Sequence, residues 1–143
     1  MKSIIIALLL LVACSTMSFA QCDKKITLSS SKTEHLDGSG VSQNTEDERV
    51  VIDITKSDIT VLAENGNHKM TGKIKSLNCN WKVPFKEGKT VLSTTLNDDS
   101  GDDGKDFTIT IEGKDGKVTL LAESPQMPDR KIKLALEKFE EKN

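Results

Sequence analysis

Apolar residues recur at every second position along most of this chain. In "RVVIDITKSDITVLAENG", Val50, Ile52 and Ile54 share one face of an extended segment, and Ile59, Val61 and Ala63 share one face of the next. A two-residue turn at Lys56-Ser57 sets Ile54 opposite Ile59 and Ile52 opposite Val61, so apolar meets apolar across a hairpin with one buried face. Asn65-Gly66 reads as a type I′ turn. "DFTITIEGKDGKVTLLAES" repeats the design. Phe107, Ile109 and Ile111 alternate with polar residues, Asp115-Gly116 turns the chain, and Val118, Leu120 and Ala122 return on one face. Between these hairpins, Met70 and Ile74 share a parity, while Leu77, Cys79, Trp81 and Val83 share the other. One extra residue between Ile74 and Leu77, a β-bulge, restores the phase. Leu92, Thr94 and Leu96 mark a further strand, and Ile26 and Leu28 begin one that fades into the polar stretch "DGSGVSQNTEDE". The tail, residues 129–139, fits two periods. Ile132, Leu134 and Leu136 alternate as in a strand, and Ile132, Ala135, Leu136 and Phe139 form a helical stripe; strand is preferred because its neighbours are hairpins.

These elements predict an all-β domain, an antiparallel meander of about eight strands that closes as a small barrel or packs as a compact sandwich. No repeat or internal linker divides residues 21–143, which read as one domain.

The first twenty residues do not follow the alternation. Lys2 precedes an unbroken apolar run from Ile4 to Ala13. Such a run is shorter than the ~20 residues a membrane-spanning helix needs and matches the core of a signal peptide. Ser18-Phe19-Ala20 before Gln21 offers small residues at −3 and −1, so residues 1–20 are expected to be removed. Leu11-Val12-Ala13-Cys14 competes as a lipobox, which makes Cys14 a lipidated N-terminus and the protein an outer-membrane lipoprotein. No later segment is apolar enough to cross a membrane as a helix. Export to the periplasm or the medium is therefore expected, with no transmembrane segment after the leader is lost.

Two resemblances follow. The ending "SFAQ" (Ser18–Gln21) is similar to the leaders of exported proteins from Bacteroidetes-type bacteria. The strand meander resembles the lipocalins in shape, which implies a barrel around an apolar interior. The Gly-x-Trp of a first lipocalin strand is absent here. The lone tryptophan, Trp81, lies mid-chain behind Cys79-Asn80, so the resemblance carries over no binding residue.

Composition narrows the function. The formal net charge is −2, and loss of Lys2 makes the remainder one unit more acidic. Nothing there favours nucleic acid or an anionic membrane surface as a partner. Aromatic residues are 3% of the chain and tyrosine is absent, so stacking platforms for bases or sugars are not expected. The two histidines, His35 and His68, stand near no nucleophile motif, and the chain reads as no enzyme. Asp98, Asp99, Asp102, Asp103 and Asp106 suggest calcium, but counting from Asp99 the third position is Gly101, which brings no side-chain oxygen. A solvated turn is expected, with no metal and no cofactor.

"SLNCNWKVPFKEGKT" carries the remaining chemistry. Trp81 alternates with polar neighbours beside Cys79 and reads as a core plug. Pro84 ends the strand. Phe85 among Lys82, Lys86 and Lys89 is then the candidate lip for contact with a ligand or partner. The expectation is an exported, non-catalytic binding module for a small apolar molecule or a partner protein. A structural envelope protein without a ligand cavity is the alternative.

Cys22 and Cys79 survive either cleavage, and an even pair in an oxidising compartment predicts a disulfide. Closing so long a loop contributes roughly 4 kcal/mol in the chain-entropy view. Mass spectrometry of the freshly isolated mature protein should find no alkylatable thiol at either position until reductant is added.

Overall fold

The computed structural model describes residues 22–100 and 103–142. The expected signal peptide, residues 1–20, and the alternative lipidation site Cys14 lie outside the described residues, as does Asp102 of the acidic run.

The chain is all-β. Its strands are β1 (Ile26–Ser30), β2 (Thr33–Asp37), β3 (Ser42–Glu46), β4 (Val50–Ile54), β5 (Asp58–Ala63), β6 (His68–Val83), β7 (Glu87–Asp98), β8 (Lys105–Lys114), β9 (Lys117–Ser124), β10 (Met127–Ala135) and β11 (Lys138–Glu141). All pairings are antiparallel, in the order β11-β1-β4-β5-β6-β7-β8-β9-β10-β2-β3. The tail is therefore strand, and its helical stripe is not used.

Both predicted hairpins form with the registers their patterns require. Ile54 faces Ile59 and Ile52 faces Val61. Ile109 faces Ala122 and Ile111 faces Leu120 across a two-residue turn. That turn holds Asp115 at φ 52° and Gly116 at φ 77°, the left-handed pair a type I′ turn demands. The β6–β7 register shifts between Ile74 and Ser76, where the apolar phase changes.

Four expectations need correction. The first is strand number: among the described residues there are eleven strands, not about eight, because three long runs are broken at 31–32, 47–49 and 136–137. The second is closure. The end strands of the order, β11 and β3, do not pair, so the sheet is not a closed ring of ladders. Its ends are instead carried by two continuous chain segments that keep one register throughout: Ile26 faces Glu141 and Ser29 faces Lys138, and Glu34 faces Lys133 and Asp37 faces Arg130. Third, Asn65-Gly66 is not a two-residue turn. Glu64, Asn65 and Gly66 all have positive φ in a wider bend. Asn65 Oδ1 accepts from the Arg49 amide at 2.9 Å, which ties the bend to the start of β4. Fourth, Val83 does not join Trp81 inside. A second register shift between Trp81 and Val83 turns it outward, 42% exposed.

The breaks at 31–32 and 136–137 act together. Even-numbered residues point inward in β1 (Ile26, Leu28, Ser30), and odd-numbered Thr33 is the buried residue that opens β2. The neighbouring segment changes phase alongside: Leu134 is buried in β10, and Phe139 is the β11 residue that packs against the core. The Glu137 amide donates to Ser29 O at 2.9 Å across the step, and the Ser31 hydroxyl bonds the Glu137 carboxylate.

One end of the interior is filled. Trp81 on β6 is buried, and its indole N–H donates to Thr90 Oγ1 at 2.7 Å. In register, Trp81 faces Gly88 and Gly88 faces Gly113. A Cβ on Gly113 would lie 2.8 Å from the indole Cζ3, so the ring rests on a floor without side chains. The ring of Phe139 meets the indole at 5.3 Å, and Phe85 meets Phe139 edge-on at 4.6 Å. The Cys22–Cys79 disulfide borders the same cluster.

Trp81→Ala removes an indole, its hydrogen bond and the filling above two glycines, and should destabilise by about 3–5 kcal/mol. Phe85→Ala should cost less, because that ring is only half-buried. Urea unfolding of the three proteins checks the order, and wild-type tryptophan emission should be blue-shifted until the transition.

Candidate functional site

The opposite end is hollow. A cavity of about 190 Å³ lies within the sheet, and each strand from β4 to β10, together with β2, supplies at least one wall residue. Val61, Leu96, Ile109, Leu120 and Leu134 make its walls predominantly apolar. By contrast, the gap beside Trp81 is about 20 Å³, room for little more than one water.

His35, Phe107, Ala122 and Ile132 are shared between this chamber and a wider recess of about 580 Å³. The recess is mixed in character, with Leu36 and Met127 beside charged groups. It adds Asp37, Gln43, Glu46, Asp129 and Arg130. Asp37 is engaged by its own loop: the Val41 amide above all, then the Ser39 hydroxyl, hold its carboxyl below the usual carboxylate range. Lys131 pairs with Glu123 at 2.9 Å, and His35 Nε2 stands 3.4 Å from Glu46 Oε2. The arrangement is an apolar chamber behind a mouth of mixed charge.

Two polar atoms disturb the apolar wall. Thr33 Oγ1 and His35 Nε2 are the buried side-chain polar atoms without a hydrogen bond among the described residues. They lie two positions apart on β2, on the same side of the strand. The His35 ring is partly exposed and its nitrogen is covered by Glu46, whose oxygen is close but poorly aligned. Thr33 differs: the whole residue is 3% exposed. The other buried hydroxyls have partners: Ser30 with Lys32 O, Thr90 with Trp81, Thr94 with Lys73 O, and Ser124 with Gln126. A buried hydroxyl left unpaired costs about 1–3 kcal/mol.

An apolar interior was expected from the sequence, but neither the place of the chamber nor Thr33 was singled out there. The apolar alternation marks which residues face inward, but not whether they meet. Thr33 looked like part of a fading strand, because its inward orientation depends on the break at 31–32.

The residues singled out in the sequence sit at the other end. Phe85 turns toward Phe139, at a φ of 59° that a bulky side chain rarely adopts. Lys82, Lys86 and Lys89 are exposed around it, and Lys89 pairs with Glu112 at 3.2 Å. The lysine lip thus surrounds the filled end, remote from the chamber.

The acidic run is divided between local partners. Asp98 Oδ1 bonds the Ser100 amide and hydroxyl, and its Oδ2 lies 3.8 Å from His68 Nε2. Asp106 accepts from Thr95 Oγ1 at 2.5 Å, from Lys75 Nζ at 2.9 Å and from Gln126 Nε2 at 3.1 Å. Among the described residues, no three His, Cys, Asp or Glu side chains gather in a metal-binding group, and no helix is long and apolar enough to cross a membrane.

No protein-family model, curated protein or solved structure matches this chain.

The bonds from Thr95, Lys75 and Gln126 hold the Asp106 carboxyl well below its usual value of 3.8. A carboxyl depressed in the folded state stabilises it above the unfolded-state value and loses that contribution as pH falls toward the folded-state value. Stability should therefore decline as pH drops below about 4, and Asp106→Asn should flatten the decline. Melting temperatures of both proteins across the acidic range test this.

Proposed function

We propose that this chain is an exported, non-catalytic binding module that holds a small apolar molecule in the chamber at the Thr33 end. The observation that carries the reading is the 190 Å³ apolar cavity, walled by eight strands and bordered by a recess that carries charged groups. Binding sites of this kind pair an apolar interior with a few placed polar groups. Apolar cavities of about 150 Å³ already admit benzene-sized molecules. A filled interior would favour a structural envelope role, and the hollow end favours a ligand.

On this reading the sheet curls around the chamber without closing into a ring, with the segments 26–37 and 130–141 paired in one register and the Trp81 cluster filling one end. The Cys22–Cys79 bond supports a working life in an oxidising compartment, periplasmic or extracellular.

Titration with benzene, followed by methyl resonances, is the direct test. Methyl signals of Val61, Ile109 and Leu120 should shift and saturate, with affinity near the millimolar range expected for so small a ligand. Ala122→Phe, which fills the wall shared with the recess, should abolish the shifts while the protein stays folded. Unmoved chamber methyls in the wild type would remove the basis for a ligand site. Native mass spectrometry of protein purified from its host should then identify the natural occupant.

A further inference from the structure

We infer that the chamber selects an uncharged apolar molecule bearing one hydroxyl or carbonyl group, whose polar end bonds Thr33 Oγ1. This rests on the reading of the chamber as a ligand site and names the class of its occupant.

The inference begins with Thr33. Its hydroxyl is buried, borders the chamber and has no partner, whereas the four other buried Ser and Thr hydroxyls are bonded. A hydroxyl both donates and accepts, so it satisfies an alcohol or a carbonyl equally. The lining around it is mostly aliphatic, which suits the rest of such a molecule. Charge excludes an anionic head. An anion at Thr33 would be buried without a counter-ion, which is far costlier than burying a hydroxyl. A carboxylate would also face Glu46, beside His35, and Glu48, on the chamber wall. Arg130, which has no ion pair among the described residues, borders the recess and not the chamber.

Benzene, phenol and benzoate form the test series, since they share one ring and differ in the head. Dissociation constants are read from the chamber methyl shifts in the wild type, Thr33→Val and Thr33→Ser. Phenol should bind about ten-fold more tightly than benzene, and benzoate should not saturate. Thr33→Val keeps the shape and removes the hydroxyl; it should erase the phenol preference and leave benzene within about two-fold. Thr33→Ser should retain the preference. The ligand-free Thr33→Val protein should melt a few degrees higher than wild type, since an unpaired buried hydroxyl is gone. Equal phenol affinity in wild type and Thr33→Val, or preference for benzoate, would overturn the inference. The first of those results would mean that Thr33 is served by a buried water alone. Failure of benzene and phenol alike would instead overturn the binding function itself.

Discussion

The indole of Trp81 needs a flat floor, and Gly88 and Gly113 supply it on β7 and β8, the next two strands on one side of β6. A side chain at Gly113 would strike the ring, and one at Gly88 would strike both the ring and the β6 backbone. The glycines weaken β7 and β8 locally, because they have nothing to pack, and the indole restores the missing cover. Its N–H is satisfied by Thr90 from the floor strand, so the largest side chain in the chain is buried without an orphaned donor. Phe139 arrives from the last strand and the disulfide from the first described residue. The first and last strands of the chain, β1 and β11, are thus fastened at one aromatic cluster.

This cluster frees the other end to be hollow. Interiors packed to native density lose stability when space is left open, so a chamber has to be offset elsewhere. Leu28, Ile54, Ile59, Leu92 and Ile111 are almost fully buried and provide dense aliphatic packing. The unpaired Thr33 hydroxyl adds a further local cost at the hollow end. Such concentrated departures from good packing are characteristic of functional surfaces, where stability yields to recognition.

Strand faces were legible where burial is one-sided. Ile54 opposite Ile59 follows from apolar alternation and its turn, and alternation puts Ile111 and Leu120 on one face, since a one-residue slip would expose a whole set. The strand β3, "SQNTE", was illegible because every residue in it is exposed; its ladder with β2 holds it, and no burial pattern records that. The breaks at 31–32 and 136–137 were equally hidden. Each changes inward parity by one, and only the neighbouring segment reveals that the two changes coincide. Trp81 could be read as core from its alternation with Asn80 and Lys82. Its glycine floor could not, since Gly88 and Gly113 are joined only by register. The chamber was the least legible feature, because space between strands leaves no mark on any one of them.

The two ends of the described chain meet. The Lys142 amide donates to Lys25 O at 2.8 Å, and Cys22 is bonded to β6 close by. Both therefore leave from the Trp81 end, with Thr33 and Arg130 at the other. A label or surface attached at Lys142 therefore sits on the side of the aromatic cluster, and immobilisation there leaves the approach to the chamber unobstructed.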